Sequence, residues 1–146
     1  TGVPGIKLGL ANIVTLIAIM FFGLKEVLLI IILRTFLGSV FGGSISGFLF
    51  SVSGGLLSGV VMWIIYSRFG KDFSLVGISV AGAIFHNIGQ LLAASLIIAD
   101  LRIYIYFPVL MVSSVSTGIF IGIVCSHAKR LILNNINKLG LNFNEE

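Results

Sequence analysis

The stretch Ser74-Leu75-Val76-Gly77-Ile78-Ser79-Val80-Ala81-Gly82-Ala83-Ile84-Phe85-His86-Asn87-Ile88-Gly89-Gln90-Leu91-Leu92-Ala93-Ala94-Ser95-Leu96-Ile97-Ile98-Ala99 carries no charged side chain. A bilayer core of about 30 Å needs about 20 such residues in a helix, so residues 74–99 are long enough to cross one. Three strongly polar side chains, His86, Asn87 and Gln90, sit near the centre. In lipid they would lose water without replacement, so they must face protein, a cavity or a ligand. His86 and Gln90 are four apart and Asn87 and Gln90 three apart, which places them on one side of a helix.

The rest of the chain fits a membrane bundle. Of its 146 residues 58% are hydrophobic and 10% charged, against about 25% charged in an ordinary soluble domain. Residues 8–24, 27–41, 45–66, 74–99 and 104–125 read as five spans, together forming one all-α integral membrane domain over residues 1–127. Residues 128–146 read as a polar, Asn-rich tail that begins as a helical extension. The apolar run behind Lys7 lacks the small-residue cleavage site of a signal peptide and is followed by Lys25-Glu26 and more apolar sequence, so it too reads as a span.

Charge sets the expected orientation. With five spans, Lys25, Arg68, Lys71, Lys129, Arg130 and Lys138 fall on one side and Lys7 and Arg102 on the other. The C-terminus is therefore expected in the cytoplasm, with Thr1 outside. Tyr104, Tyr106 and Phe107 suit an interfacial aromatic belt at the outer start of the fifth span. The net charge of +4 is spread over the ends of apolar runs, which does not suggest nucleic acid as a partner. A single cysteine, Cys125, excludes an internal disulfide and a thiolate metal cluster.

Small residues recur four apart at Gly38/Gly42, Gly43/Gly47, Gly55/Gly59 and Gly118/Gly122, a spacing that lets helix backbones approach closely in lipid. The Gly-Lys-Ser/Thr signature of a phosphate loop does not occur. Depth bookkeeping at 1.5 Å per residue brings Lys7, Asn12, Arg34, His86, Asn87 and Gln90 into the outer half of the membrane, where they are expected to line one cavity. Arg34 is the costliest, since a mid-helix Arg carries a penalty of about 2.5–3.5 kcal/mol even on the lenient insertion scale. Its sequence neighbours offer no obvious acidic partner, which suits an anionic ligand; the alternative is a side chain that snorkels or pairs with carbonyls and water. Asn12 and His86 serve equally well as interhelical hydrogen-bonding groups.

Catalysis finds no support. The carboxylates are Glu26, Asp72, Asp100, Glu145 and Glu146, and none forms an intramembrane pair for acid–base work. No His/Cys/Asp group has metal-ligand spacing, and no cofactor is implied.

Pro4-Gly5-Ile6-Lys7-Leu8-Gly9-Leu10-Ala11-Asn12-Ile13-Val14-Thr15-Leu16, Leu33-Arg34-Thr35-Phe36-Leu37-Gly38-Ser39, Phe50-Ser51-Val52-Ser53-Gly54-Gly55, Gly77-Ile78-Ser79-Val80-Ala81-Gly82-Ala83 and His86-Asn87-Ile88-Gly89-Gln90 together resemble a family of small bacterial membrane proteins. These are labelled heptaprenyl diphosphate synthase component I, or Gx transporter. The family looks like the substrate-binding S-components of energy-coupling factor transporters, which implies a six-helix fold whose first helix precedes Pro4 and is absent from this sequence. The resemblance also implies a bacterial cytoplasmic membrane and, as partners, a transmembrane coupling subunit and ATPases. The expected function is capture of a small anionic vitamin or precursor by Arg34, His86, Asn87 and Gln90, with Lys7 and Asn12 at the entrance. The alternative is a non-catalytic accessory subunit beside a soluble prenyl synthase, or within a membrane redox complex. Prenyl chain elongation needs aspartate-rich pairs for magnesium diphosphate, and this sequence has none outside its tail.

Overall fold

A chain this apolar satisfies its backbone polar groups most simply within itself, as helix. The computed structural model describes residues 4–42 and 45–138, with side chains from residue 12 onward. Its elements are α1 (Pro4–Phe21), α2 (Leu24–Gly42), α3 (Ile45–Phe69), α4 (Leu75–Ile98), a 3-10 turn (Leu101–Tyr106) and α5 (Phe107–Lys138). Among the described residues, three segments are long and apolar enough to cross a membrane: Ile45–Phe69, Leu75–Ile98 and Leu101–Lys138. The other two expected spans overlap α1 and α2, which begin earlier, at Pro4 and Leu24; α2 holds Lys25, Glu26 and Arg34 within its 19 residues, which dilutes its hydropathy.

Local chemistry sets the ends. Ser74 caps α4, its Oγ accepting from the Gly77 N–H at 3.2 Å, and so supplies one of the first-turn donors with a partner. At the other end Ala99 adopts a left-handed conformation with φ 52°. The Asp100 carboxylate then accepts from the Arg102 N–H at 2.9 Å and starts the 3-10 turn. This turn precedes α5 where the sequence alone suggests the span begins, at Tyr104. The far end of α5 also differs from a span closing at Cys125. The helix runs on to Lys138, because residues 126–138 contain neither Gly nor Pro to stop it. Residues 1–3, 43, 44 and 139–146 lie outside the described residues.

The helices close into a ring, with α4 packed between α3 and α5, α2 on the outer side of α3, and α1 bridging α5 to α2. Each helix runs antiparallel to its neighbour in sequence, so the interior divides into two levels. At the level of the α3 C-terminus lies an apolar core of Leu16, Ile19, Val27, Ile31, Met62, Ile78, Ile121 and Cys125, all buried. One to two turns away come the polar positions Asn12, Arg34, His86, Asn87 and Ser114.

The exterior is apolar. Leu29, Leu33, Phe36 and Leu37 of α2, Leu96 of α4, and Val109, Val112 and Phe120 of α5 are all about half exposed or more. Buried side chains by contrast include Ser58, Ser79 and Ser114. An apolar exterior this extensive, with small and polar side chains buried beside the apolar core, is the distribution expected when lipid, not water, is the solvent.

Candidate functional site

Two helix seams build the polar level. On the first, α3 and α4 meet glycine to glycine. A Cβ on Gly89 would stand 2.8 Å from the Gly54 Cα and 2.8 Å from the Ser53 carbonyl oxygen, so neither position accepts a side chain. This approach allows the Ser53 hydroxyl to donate to the Gly89 carbonyl at 3.1 Å, across the seam. His86 and Gln90 lie on the same contact: a Cβ on Gly54 would meet the His86 carbonyl oxygen at 2.6 Å and the Gln90 Cγ at 2.8 Å.

The next residue, Gly55, faces the other way, toward α2. A Cβ there would meet Ile31 Cγ2 at 2.8 Å and a terminal nitrogen of the Arg34 guanidinium at 3.4 Å. The pair Gly54-Gly55 thus separates Arg34 on one face of α3 from His86 and Gln90 on the other. Arg34 remains within electrostatic reach of the His86 ring.

On the second seam, α4 meets α5 through Asn87. Its Nδ2 donates to Ser114 Oγ at 2.6 Å and to the Leu110 carbonyl at 3.1 Å, while Ser114 itself donates to the Leu110 carbonyl at 2.7 Å. Below this knot α5 rides closely on α4, where a Cβ on Gly118 would stand 2.6 Å from the Val80 Cα and one on Gly122 would collide with the Val76 Cα.

Between α1, α4 and α5 a small cavity is lined by Asn12, Ala83, His86, Asn87, Ser113, Ser114 and Thr117. The space open to the centre of a water molecule is about 20 Å³, enough for one or two waters. Asn12 and His86 are each 3% exposed. Asn12 Oδ1 meets no hydrogen-bond partner among the described residues. The His86 ring rests near the Gly54 backbone, a longer contact, and neither ring nitrogen reaches hydrogen-bond geometry with a described protein atom.

The residues expected to line one cavity therefore divide. Asn12, His86 and Asn87 share it. Arg34 and Gln90 belong to the α2–α3–α4 contact, and only His86 touches both groups. The Lys7 side chain lies outside the described residues. Ser113, Ser114 and Thr117 complete the cavity and were not singled out by sequence. Their i, i+1, i+4 spacing is a usable signal, though Ser and Thr are frequent enough here to hide it.

Among the glycine positions, Gly59 abuts Ile31, Gly47 is half-buried, and Gly43 lies outside the described residues. Gly38 and Gly42, expected to be points of close approach, have nothing within 4 Å. They face outward on the exposed side of α2, where no described helix follows to pack on them.

Chemically the described residues of the site offer hydrogen-bonding groups and one nearby cation, Arg34. Among the described residues no group of three or more His, Cys, Asp or Glu is placed to hold a metal ion. The described carboxylates, Glu26, Asp72 and Asp100, stand at helix ends rather than in the polar level.

A family model described as heptaprenyl diphosphate synthase component I matches residues 1–128. No curated protein and no solved structure matches the chain.

Proposed function

Because the chain belongs to the heptaprenyl diphosphate synthase component I family, we propose that it is a membrane-embedded, non-catalytic subunit that works beside a catalytic prenyl diphosphate synthase subunit. One observation carries this reading. The polar level supplies amides, hydroxyls, an imidazole and a guanidinium, whereas magnesium-dependent diphosphate chemistry needs clustered carboxylates. The reacting groups then belong to the partner, and this chain contributes the membrane.

The basic end of the bundle suits such a partner. Gly122 packs on Val76 near the start of α4, so residues 123–138 of α5 extend beyond it by about 24 Å at 1.5 Å per residue. That extension carries Lys129, Arg130 and Lys138, on the same end as Arg68 and Lys71. The charge asymmetry makes this end cytoplasmic in a bacterial membrane, with α1 and α2 crossing as well.

A second reading is favoured by the convergence of Asn12, His86 and Asn87 on a cavity with Arg34 close behind. In it the chain is the substrate-capture subunit of an importer driven by partner ATPases through a coupling protein. A vitamin-sized ligand needs a pocket of about 300 Å³ or more, so this reading requires the α1–α4–α5 contact to open.

Crosslinking of the full chain in native membranes, followed by identification of its partners, separates the two. Recovery of a prenyl diphosphate synthase, lost on reversing the charges of Lys129, Arg130 and Lys138, supports the first. Recovery of a coupling protein with its ATPases, and no synthase, overturns it.

A further inference from the structure

The cavity between α1, α4 and α5 has a chemistry of its own, and its size, charge and mouth each narrow what it accepts. We propose that it binds the hydroxyl head of an apolar alcohol that enters from the lipid. This rests on the chain being membrane-embedded and on neither choice of partner.

Size comes first. With about 20 Å³ open to the centre of a water, the cavity takes a group of one or two heavy atoms, a head and not a whole molecule. Charge comes next. Among the described residues, the groups lining it are carboxamides, hydroxyls and an imidazole, with no Lys, Arg, Asp or Glu. Arg34 stands on the far side of Gly54-Gly55, against Gly55. A phosphate or carboxylate head would be desolvated here without a cation in contact, which is costly. A neutral head avoids that penalty.

Hydrogen-bond polarity then selects among neutral heads. Asn12 Oδ1 is a buried acceptor with no donor among the described residues, and a neutral imidazole at His86 offers one N–H donor and one acceptor. A hydroxyl answers both, donating to Asn12 Oδ1 and accepting from His86 in the tautomer that turns its N–H to the cavity rather than to the Gly54 backbone. A carbonyl accepts only, and leaves the Asn12 Oδ1 without a donor. Asn87 Nδ2 and the Ser114 hydroxyl are engaged with each other and with Leu110, so they act as a fixed wall.

The mouth identifies the tail. Ser114 is buried while its neighbour Ser113 is exposed, so the cavity reaches the molecular surface at Ser113. Val109, Val112 and Phe120 are exposed on the same helix, at 70%, 71% and 65%. Ser113 is about 9 Å into α5 from Phe107 at 1.5 Å per residue, below the 3-10 turn. An apolar tail leaving the cavity there would lie on apolar surface.

The test uses the full chain in nanodiscs of neutral lipid, with farnesol as probe and farnesyl diphosphate and the hydrocarbon farnesane as comparisons. Thermal stability and the imidazole resonances of His86 are followed against probe concentration. Farnesol should raise the melting temperature saturably and shift the His86 signals, and farnesane should do neither. Asn12→Leu should weaken farnesol binding by about tenfold, as loss of a buried hydrogen bond does. Arg34→Gln should leave it unchanged. Ser113→Phe, at an exposed position, should block binding without disturbing the core, which keeps the test decisive if Asn12→Leu does not fold. Equal binding by Ser113→Phe, tighter binding of farnesyl diphosphate that Arg34→Gln abolishes, or no saturable response to farnesol would each overturn the proposal. None of these outcomes bears on which proteins crosslink to the chain, so the proposed function stands or falls separately.

Discussion

Gly54 of α3 and Gly89 of α4 lie backbone to backbone, with no room for a Cβ on either. Their contact sets the height at which His86, Gln90 and Ser53 meet, and Gly55 behind it sets the resting place of Arg34. The polar level is thus organised by two side chains that are not there.

Gly89→Ala should force α3 from α4 and break the bond from Ser53 to the Gly89 carbonyl. Overpacking of this kind costs about 1–3 kcal/mol. Reversible unfolding in mixed micelles should show that loss. Gly38→Ala, where nothing lies within 4 Å, should instead be neutral or stabilising by up to about 1 kcal/mol, since Ala is the better helix former.

Asn87 and Ser114 should be energetically coupled. Interhelical hydrogen bonds in membranes average about 0.6 kcal/mol, with a maximum near 1.7. The bond between them is 2.6 Å and buried, so a coupling within that range is expected. A double-mutant cycle over Asn87→Leu and Ser114→Ala measures it, and strict additivity would show that the bond contributes nothing.

Ala99→Gly should stabilise the protein. At φ 52° a Cβ is crowded, at a cost of about 1 kcal/mol or more that glycine does not incur. A rise in melting temperature is the expected result. No change would mean that Asp100 and the 3-10 turn do not hold Ala99 in that conformation.

Orientation has its own test. In a Cys125→Ser background, Asn137→Cys should react with an impermeant thiol reagent only from the cytoplasmic side, and Arg102→Cys only from the outside. Labelling of both from one side would remove the charge-based topology.

Much of the bundle is legible in the residues themselves. Apolar length placed α3, α4 and α5, since a lipid-solvated backbone has little alternative to a helix. His86-Asn87-Ile88-Gly89-Gln90 stands out for the same reason, because polar atoms inside such a run need an explanation. The helical run past Cys125 was equally written in the absence of Gly and Pro. What one sequence does not carry is azimuth, the direction in which each position faces once helices pack.

Depth arithmetic groups Arg34, His86, Asn12 and Gln90, and in the structure Asn12 and His86 share a cavity while Arg34 and Gln90 lie at Gly55 and Gly54 of α3. It could not say that Gly54-Gly55 would stand between Arg34 and His86, or that Ser113, Ser114 and Thr117 would close the cavity instead. Nor could spacing separate Gly118 and Gly122, which α4 covers, from Gly38 and Gly42, which nothing covers. Composition and spacing are properties of one helix and its solvent, and so the sequence by itself determined the class of protein and the residues worth watching. Which of them touch depends on contacts between helices distant in the chain, and those only the tertiary structure decided.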